Sequence, residues 1–167
     1  MNLILIGMMG CGKSTCGHLL AQRLNRELVD TDQLIQTRQG RTISDIFARE
    51  GESCFRDLES AVAEELSVRD DLVIATGGGM ILREKNTAAL RKNGILVWLN
   101  RSPEHIFDSE SMDGRPLAQE GKEAFLTRFA QREELYRAAA HIIVTDFSSP
   151  EATVCAILDG WHTLTGR

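Results

Sequence analysis

Leu3-Ile4-Leu5-Ile6-Gly7-Met8-Met9-Gly10-Cys11-Gly12-Lys13-Ser14 decides the fold of this chain. Four apolar residues form a short buried strand, and the glycines that follow break it into a turn. Beyond the turn, Cys16, Leu19, Leu20 and Leu24 recur at helical spacing. Gly7 to Ser14 satisfies G-x-x-x-x-G-K-[ST], placed between a strand and a helix as that pattern requires. Such a loop wraps with its N–H groups pointing inward, and the helix N-terminus adds partial positive charge, so the cradle suits phosphates. Lys13 is placed to reach the β and γ phosphates, and the Ser14 hydroxyl to ligate Mg²⁺. Gly10, Cys11, Gly12, Lys13, Ser14 and Thr15 are therefore the expected nucleotide contacts, with a nucleoside triphosphate and Mg²⁺ as the cofactors.

Working outward, short apolar runs alternate with longer amphipathic stretches. Strands are predicted at 27–30, 72–75, 95–99 and 141–144, and helices at 14–24, 42–49, 52–68, 84–91, 122–139 and 150–164. A polar region without clear periodicity spans Ser102 to Gln119. Continuous Val/Ile/Leu strands separated by helices predict an α/β fold of the P-loop NTPase kind, a five-stranded parallel sheet with helices on both faces. The 167 residues fit one domain, 1–167, without linker or repeat. In such folds ligands bind at the carboxyl ends of the strands.

Composition narrows the function. The formal net charge of −5 argues against nucleic acid, whose phosphates call for a basic excess. A small anionic ligand needs only a few local arginines, and the chain has far more Arg than Lys. The opening apolar run is too short for a secretion signal, and no run approaches the ~20 apolar residues of a membrane span. The expectation is a cytoplasmic protein with no membrane partner. Cys11, Cys16, Cys54 and Cys155 form no CxxC pair, and the four histidines are scattered, so neither a metal cluster nor a histidine-based triad is favoured.

A P-loop alone does not separate GTPases, motors, transporters and kinases. The chain is too short for a motor or transporter, and the base-reading pattern N-K-x-D is absent. Asp30 and Asp32 leave the second strand, where one carboxylate can hold a metal-bound water and the other can orient or deprotonate a hydroxyl. The plainer alternative is a helix cap with a solvated neighbour. Gly77, Gly78 and Gly79 follow the third strand and allow a ligand close to the backbone; a plain turn is the alternative, but three consecutive glycines are conformationally costly unless something needs them. Arg56, with Glu59 one helical turn on, and Arg137 could clamp a carboxylate from two helices. Each alone reads more readily as a solvated surface arginine.

Together these motifs resemble the shikimate kinase family over nearly the whole chain: Gly7–Ser14, Asp30-Thr31-Asp32, the Gly51–Glu59 run, Gly77–Gly79, Gly114-Arg115-Pro116-Leu117 and Leu135-Tyr136-Arg137. The resemblance implies a nucleoside-monophosphate-kinase-like fold with a short mobile lid at approximately 108–121. It also implies transfer of the ATP γ-phosphate to the 3-hydroxyl of shikimate, in the pathway to chorismate and aromatic amino acids. Lys13, Asp32 and Arg115 would then be catalytic, with Arg115 of the lid also contacting the nucleotide. Asp32, Arg56, Gly77, Gly78, Gly79 and Arg137 would bind shikimate, with Glu59 bracing Arg56. Ser14 would bind the metal, with Asp30 acting through water. The chain is expected to act as a monomer on shikimate and ATP. One departure stands out: Ser109 occupies the place of an arginine that stacks on adenine in the family, and Ser102 to Asp113 holds no Lys or Arg. A looser grip on adenine follows, with the loop from Asp146 to Pro150 as the alternative holder. The rival readings are a kinase of another polyol acid such as gluconate, and a catalytically silent nucleotide-binding module.

Overall fold

The computed structural model describes residues 1–109 and 121–166. The lid expected at 108–121, and Arg115 with it, lies almost wholly outside the described residues. Five strands, β1 (Asn2–Ile6), β2 (Glu27–Asp30), β3 (Leu72–Ala75), β4 (Gly94–Leu99) and β5 (Ile142–Val144), form one sheet in the order β2-β3-β1-β4-β5. Every pairing is parallel, with Leu3 opposite Val73 on one side of β1 and Ile95 on the other. All residues of β1, β3 and β4 are buried, as parallel strands covered on both faces require. The edge strands β2 and β5 keep exposed positions.

The helices are α1 (Lys13–Leu24), α2 (Thr31–Gln39), α3 (Ile43–Ser67), α4 (Glu84–Arg91), α5 (Pro103–Phe107), α6 (Lys122–Ala139) and α7 (Pro150–Thr165). Helix α1 packs on α7 and β3, whereas α3 packs on α2 and α4. Two of these were not expected. Helix α2 buries little beyond Thr31 and Ile35, so apolar periodicity could not disclose it. It starts because the Asp30 carboxylate accepts from the N–H groups of Asp32 and Gln33. Helix α5, with Pro103 in its first turn, interrupts what was expected to be irregular from Ser102 to Gln119. The two helices predicted at 42–49 and 52–68 run together as α3, broken at Gly51 (φ 84°, ψ 171°), a conformation natural to glycine. That break re-aims the second half, whose buried face carries Phe55, Val62, Ala63 and Leu66 together with the charged Glu59. No helix of the described residues is long and apolar enough to cross a membrane.

Candidate active site

The loop after β1 enters α1 through Gly12 at φ 105°, where a side chain would be strained. Helix α1 has no side-chain cap and no acidic residue in its first turn. Its N-terminal N–H groups are thus left for an anion. Ser14 and Thr15 are exposed at this end. Lys13 is buried and curls back, donating to the carbonyls of Gly7 (2.7 Å) and Met8 (2.8 Å) and lying 3.6 Å from Cys11 Sγ. Burial, reinforced by Cys11, pushes the Cys16 thiol up to about 11, so it stays protonated beneath the loop.

The two readings of Asp30 are compatible. One carboxylate oxygen caps α2, and the other accepts from the Ser14 hydroxyl at 3.3 Å. A hydroxyl and a strand-end carboxylate side by side beneath a phosphate cradle are the oxygen donors that Mg²⁺ prefers. The donor set fits the ion.

The next residues build a second subsite. The Thr31 hydroxyl accepts from the Gly77 N–H at 3.0 Å, tying the start of α2 to the loop after β3. A Cβ on Gly77 would collide with the Asp32 carboxylate and lie 3.1 Å from Glu59 Oε1. A Cβ on Gly79 would strike the Arg56 guanidinium, and one on Gly78 would press on Met9 N at 3.3 Å. The glycines are thus needed for close approach of side chains and of the nucleotide loop, and not for an unusual φ.

Arg56 donates to Glu59 at 2.6 Å and to Glu52 at 3.0 Å, so the brace expected from the helical spacing is present. Glu59 is fully buried, and its Oε1 has no hydrogen-bond partner. Burial pushes its carboxyl above the usual range, opposed by the Arg56 charge and reinforced by Asp32. An unpartnered buried carboxylate oxygen beside an arginine marks a place where a polar ligand belongs.

The second arginine differs from the one expected. Arg137 is exposed, pairs with Glu133 (3.1 Å) and Glu134 (3.8 Å) on its own helix, and lies over the Trp98 ring. Arg132 is the buried one, only 8% exposed, and a Cβ on Gly78 would lie 3.7 Å from its guanidinium. Burial lowers its pKa, and Arg56 contributes to the same effect. The helix phase explains the difference: Phe125, Phe129, Arg132, Tyr136 and Ala139 form the buried face of α6, and Arg137 falls off it. That phase was legible in the sequence as an arginine at an apolar position.

The structure therefore brings together Lys13, Ser14, Asp30, Asp32, Arg56, Gly77, Gly78 and Gly79 at the carboxyl ends of β1, β2 and β3, and adds Arg132. It leaves Arg137 on the surface. An open cleft of about 580 Å³ lies at the ends of β4 and β5, lined by Asn100, Arg101, Ser102, His105, Thr145 and Phe147. The arrangement is suited to phosphate transfer onto a small carboxylate-bearing alcohol.

The shikimate kinase family model matches residues 9–160. The chain belongs to the shikimate kinase family. It is 42% identical to a shikimate kinase of Symbiobacterium thermophilum, over 95% of each chain. It is 46% identical to one of Chromohalobacter salexigens, over 94% of this chain and 89% of that one. Among solved structures, the shikimate kinase of Acinetobacter baumannii in complex with shikimate superposes with a TM-score of 0.88 at 34% identity, covering 99% of this chain and 93% of that one. A gluconokinase of Sinorhizobium meliloti reaches a TM-score of 0.60 at 14% identity, covering 99% of this chain and 93% of that one, which shows a common fold alone. Family membership and the five-stranded parallel sheet both agree with the reading of the sequence.

Proposed function

We propose that the chain transfers the γ-phosphoryl group of ATP to the 3-hydroxyl of shikimate. The observation that carries this reading is the meeting of Arg56, Glu59, Asp32 and Arg132 around Gly77–Gly79, directly against the phosphate loop. Arg56 and Arg132 grip the acceptor carboxylate, and Arg132 takes the place expected of Arg137. Asp32 orients the acceptor hydroxyl and accepts its proton as the new O–P bond forms. The bond from the γ phosphorus to the β–γ bridging oxygen breaks, and ADP leaves. Lys13 and the N–H groups at the start of α1 stabilise the charge that develops on the phosphoryl oxygens. For that, Lys13 leaves the Gly7 and Met8 carbonyls. Ser14 and Asp30 are the residues that would hold Mg²⁺, which would supply further charge neutralisation. Arg115, outside the described residues, is assigned to the lid over the phosphates on the family resemblance.

The base of the nucleotide lies in the cleft between Arg101, His105 and Phe147, which substitutes for the missing arginine at Ser109. This places the grip on adenine in the loops after β4 and β5. The same reading makes the chain a single-domain, monomeric, cytoplasmic enzyme with neither nucleic acid nor membrane as partner. The net charge of −5 and four free cysteines support it, and light scattering tests the monomer. The decisive assay is ADP release from Mg-ATP with shikimate, with gluconate and with no acceptor. Shikimate-dependent release supports the proposal. Equal release with gluconate would overturn the substrate, and none with either would leave a silent nucleotide-binding module.

A further inference from the structure

Tyr136 belongs to a motif that the sequence singles out, yet none of the catalytic roles above uses it. It is fully buried, on the face of α6 that also carries Arg132. Its phenol donates to the Gly78 carbonyl at 2.5 Å and lies 3.6 Å from Met8 Sδ. Gly78 belongs to the acceptor loop and Met8 to the phosphate loop. One hydroxyl therefore touches both. Its ring stacks on Trp98, with centroids 5.7 Å apart and planes 17° apart, so the phenol has little freedom to move. The Arg132 guanidinium lies close enough to the phenol to oppose, in part, the effect of burial on it, which sets the phenol beside the carboxylate clamp. Burial raises the phenol far above its ordinary pKa, which keeps it a donor throughout the neutral range.

The two loops also meet directly. A Cβ on Gly78 would lie 3.3 Å from Met9 N and 3.6 Å from the Gly7 carbonyl, which is one of the two carbonyls that Lys13 holds. When phosphates draw Lys13 away, the Gly7 and Met8 carbonyls lose a donor, and Met8 is the residue of that loop that Tyr136 contacts. We propose that Tyr136 is a positioning residue that couples nucleotide occupancy of the phosphate loop to acceptor binding at Gly78 and Arg132. This rests on the kinase reading above. The coupling is a free energy shared by both ligands, so the factor by which Mg-ADP tightens shikimate equals the factor by which shikimate tightens Mg-ADP.

The experiment is calorimetric titration of the full chain with shikimate, with and without saturating Mg-ADP, and the reciprocal titration. Wild type should show a coupling factor of about fivefold or more in both directions. Tyr136→Phe keeps the ring on Trp98 and removes only the hydroxyl. It should bring both factors to within about twofold of unity while nucleotide-free shikimate affinity changes less than that. In steady state, the KM for shikimate at saturating ATP should rise more than kcat falls. A structural role alone would lower the melting temperature and leave the coupling factor untouched. Met8→Leu, which keeps volume and removes the sulfur, should give a smaller loss in the same direction and serves if Tyr136→Phe does not fold. A wild-type factor of unity, or undiminished factors in the variants, would overturn the proposal. Failure of the wild type to bind shikimate at all would instead overturn the kinase reading on which it rests.

Discussion

Replacing Arg132 with alanine distinguishes the two arginines of α6. Arg132 is 8% exposed and faces the acceptor loop, so its hydrogen bonds to a bound carboxylate form largely away from water. Hydrogen bonds to charged groups contribute about 1.5–3 kcal/mol, which corresponds to roughly a 10- to 150-fold rise in the KM for shikimate. The KM for ATP should stay within about twofold, because this loss is confined to the acceptor. The Arg137 side chain is 47% exposed and already paired along its own helix. Exposed pairs of this kind contribute about 0–1 kcal/mol, so Arg137→Ala should change the KM for shikimate by less than about fivefold. Steady-state kinetics with each substrate varied in turn, on both variants, gives the four constants. A thermal melt of each confirms that the fold is retained. The reasoning is refuted if Arg137→Ala weakens shikimate as much as Arg132→Ala does, or if Arg132→Ala leaves the KM unchanged.

Lys13→Ala should abolish turnover, to below about a tenth of wild type in the ADP-release assay, with the melting temperature retained. Gly79→Ala should raise the KM for shikimate without unfolding the protein. The new methyl group meets the Arg56 guanidinium and drives it from Glu59, and Gly79 itself sits at an ordinary φ of −94°; kinetics and a thermal melt check both parts. Stability should decline as pH falls below about 6.5, through His141. Its Nδ1 accepts from the Leu96 N–H at 2.9 Å, and burial and Arg91 lower its pKa. The unfolded chain then takes up the proton more readily than the folded one, so this contribution is present above the unfolded value and is lost as pH falls towards the folded one. Melting curves from pH 5 to 8 should show a smaller pH dependence in His141→Gln than in wild type over that window. Phe147→Ala should raise the KM for ATP more than that for shikimate, and equal effects would remove the base from the cleft between β4 and β5.

The sequence alone determined the sheet, the phosphate loop and the family. Residues 3–6, 72–75 and 95–99 are apolar at every position because parallel strands are buried on both faces. The spacing from Gly7 to Ser14 is local, so its chemistry needs no knowledge of the rest of the chain. The Arg56–Glu59 brace was legible for the same reason, since one helical turn sets the distance. Helix α2 was legible only as the alternative reading of Asp30 as a helix cap, because no apolar stripe marks its length. Which arginine of α6 enters the site was a tertiary decision. The proximity of Arg137 to the motif residue Tyr136 says nothing about phase, whereas the packing of Phe125, Phe129 and Tyr136 turns Arg132 inward. The contact of Tyr136 with Gly78 and Met8, residues 58 and 128 positions away, exists only because the sheet brings the ends of β1 and β3 side by side beneath α6. Local chemistry follows from sequence spacing, but convergence of distant groups on one ligand follows from how the helices pack on the sheet.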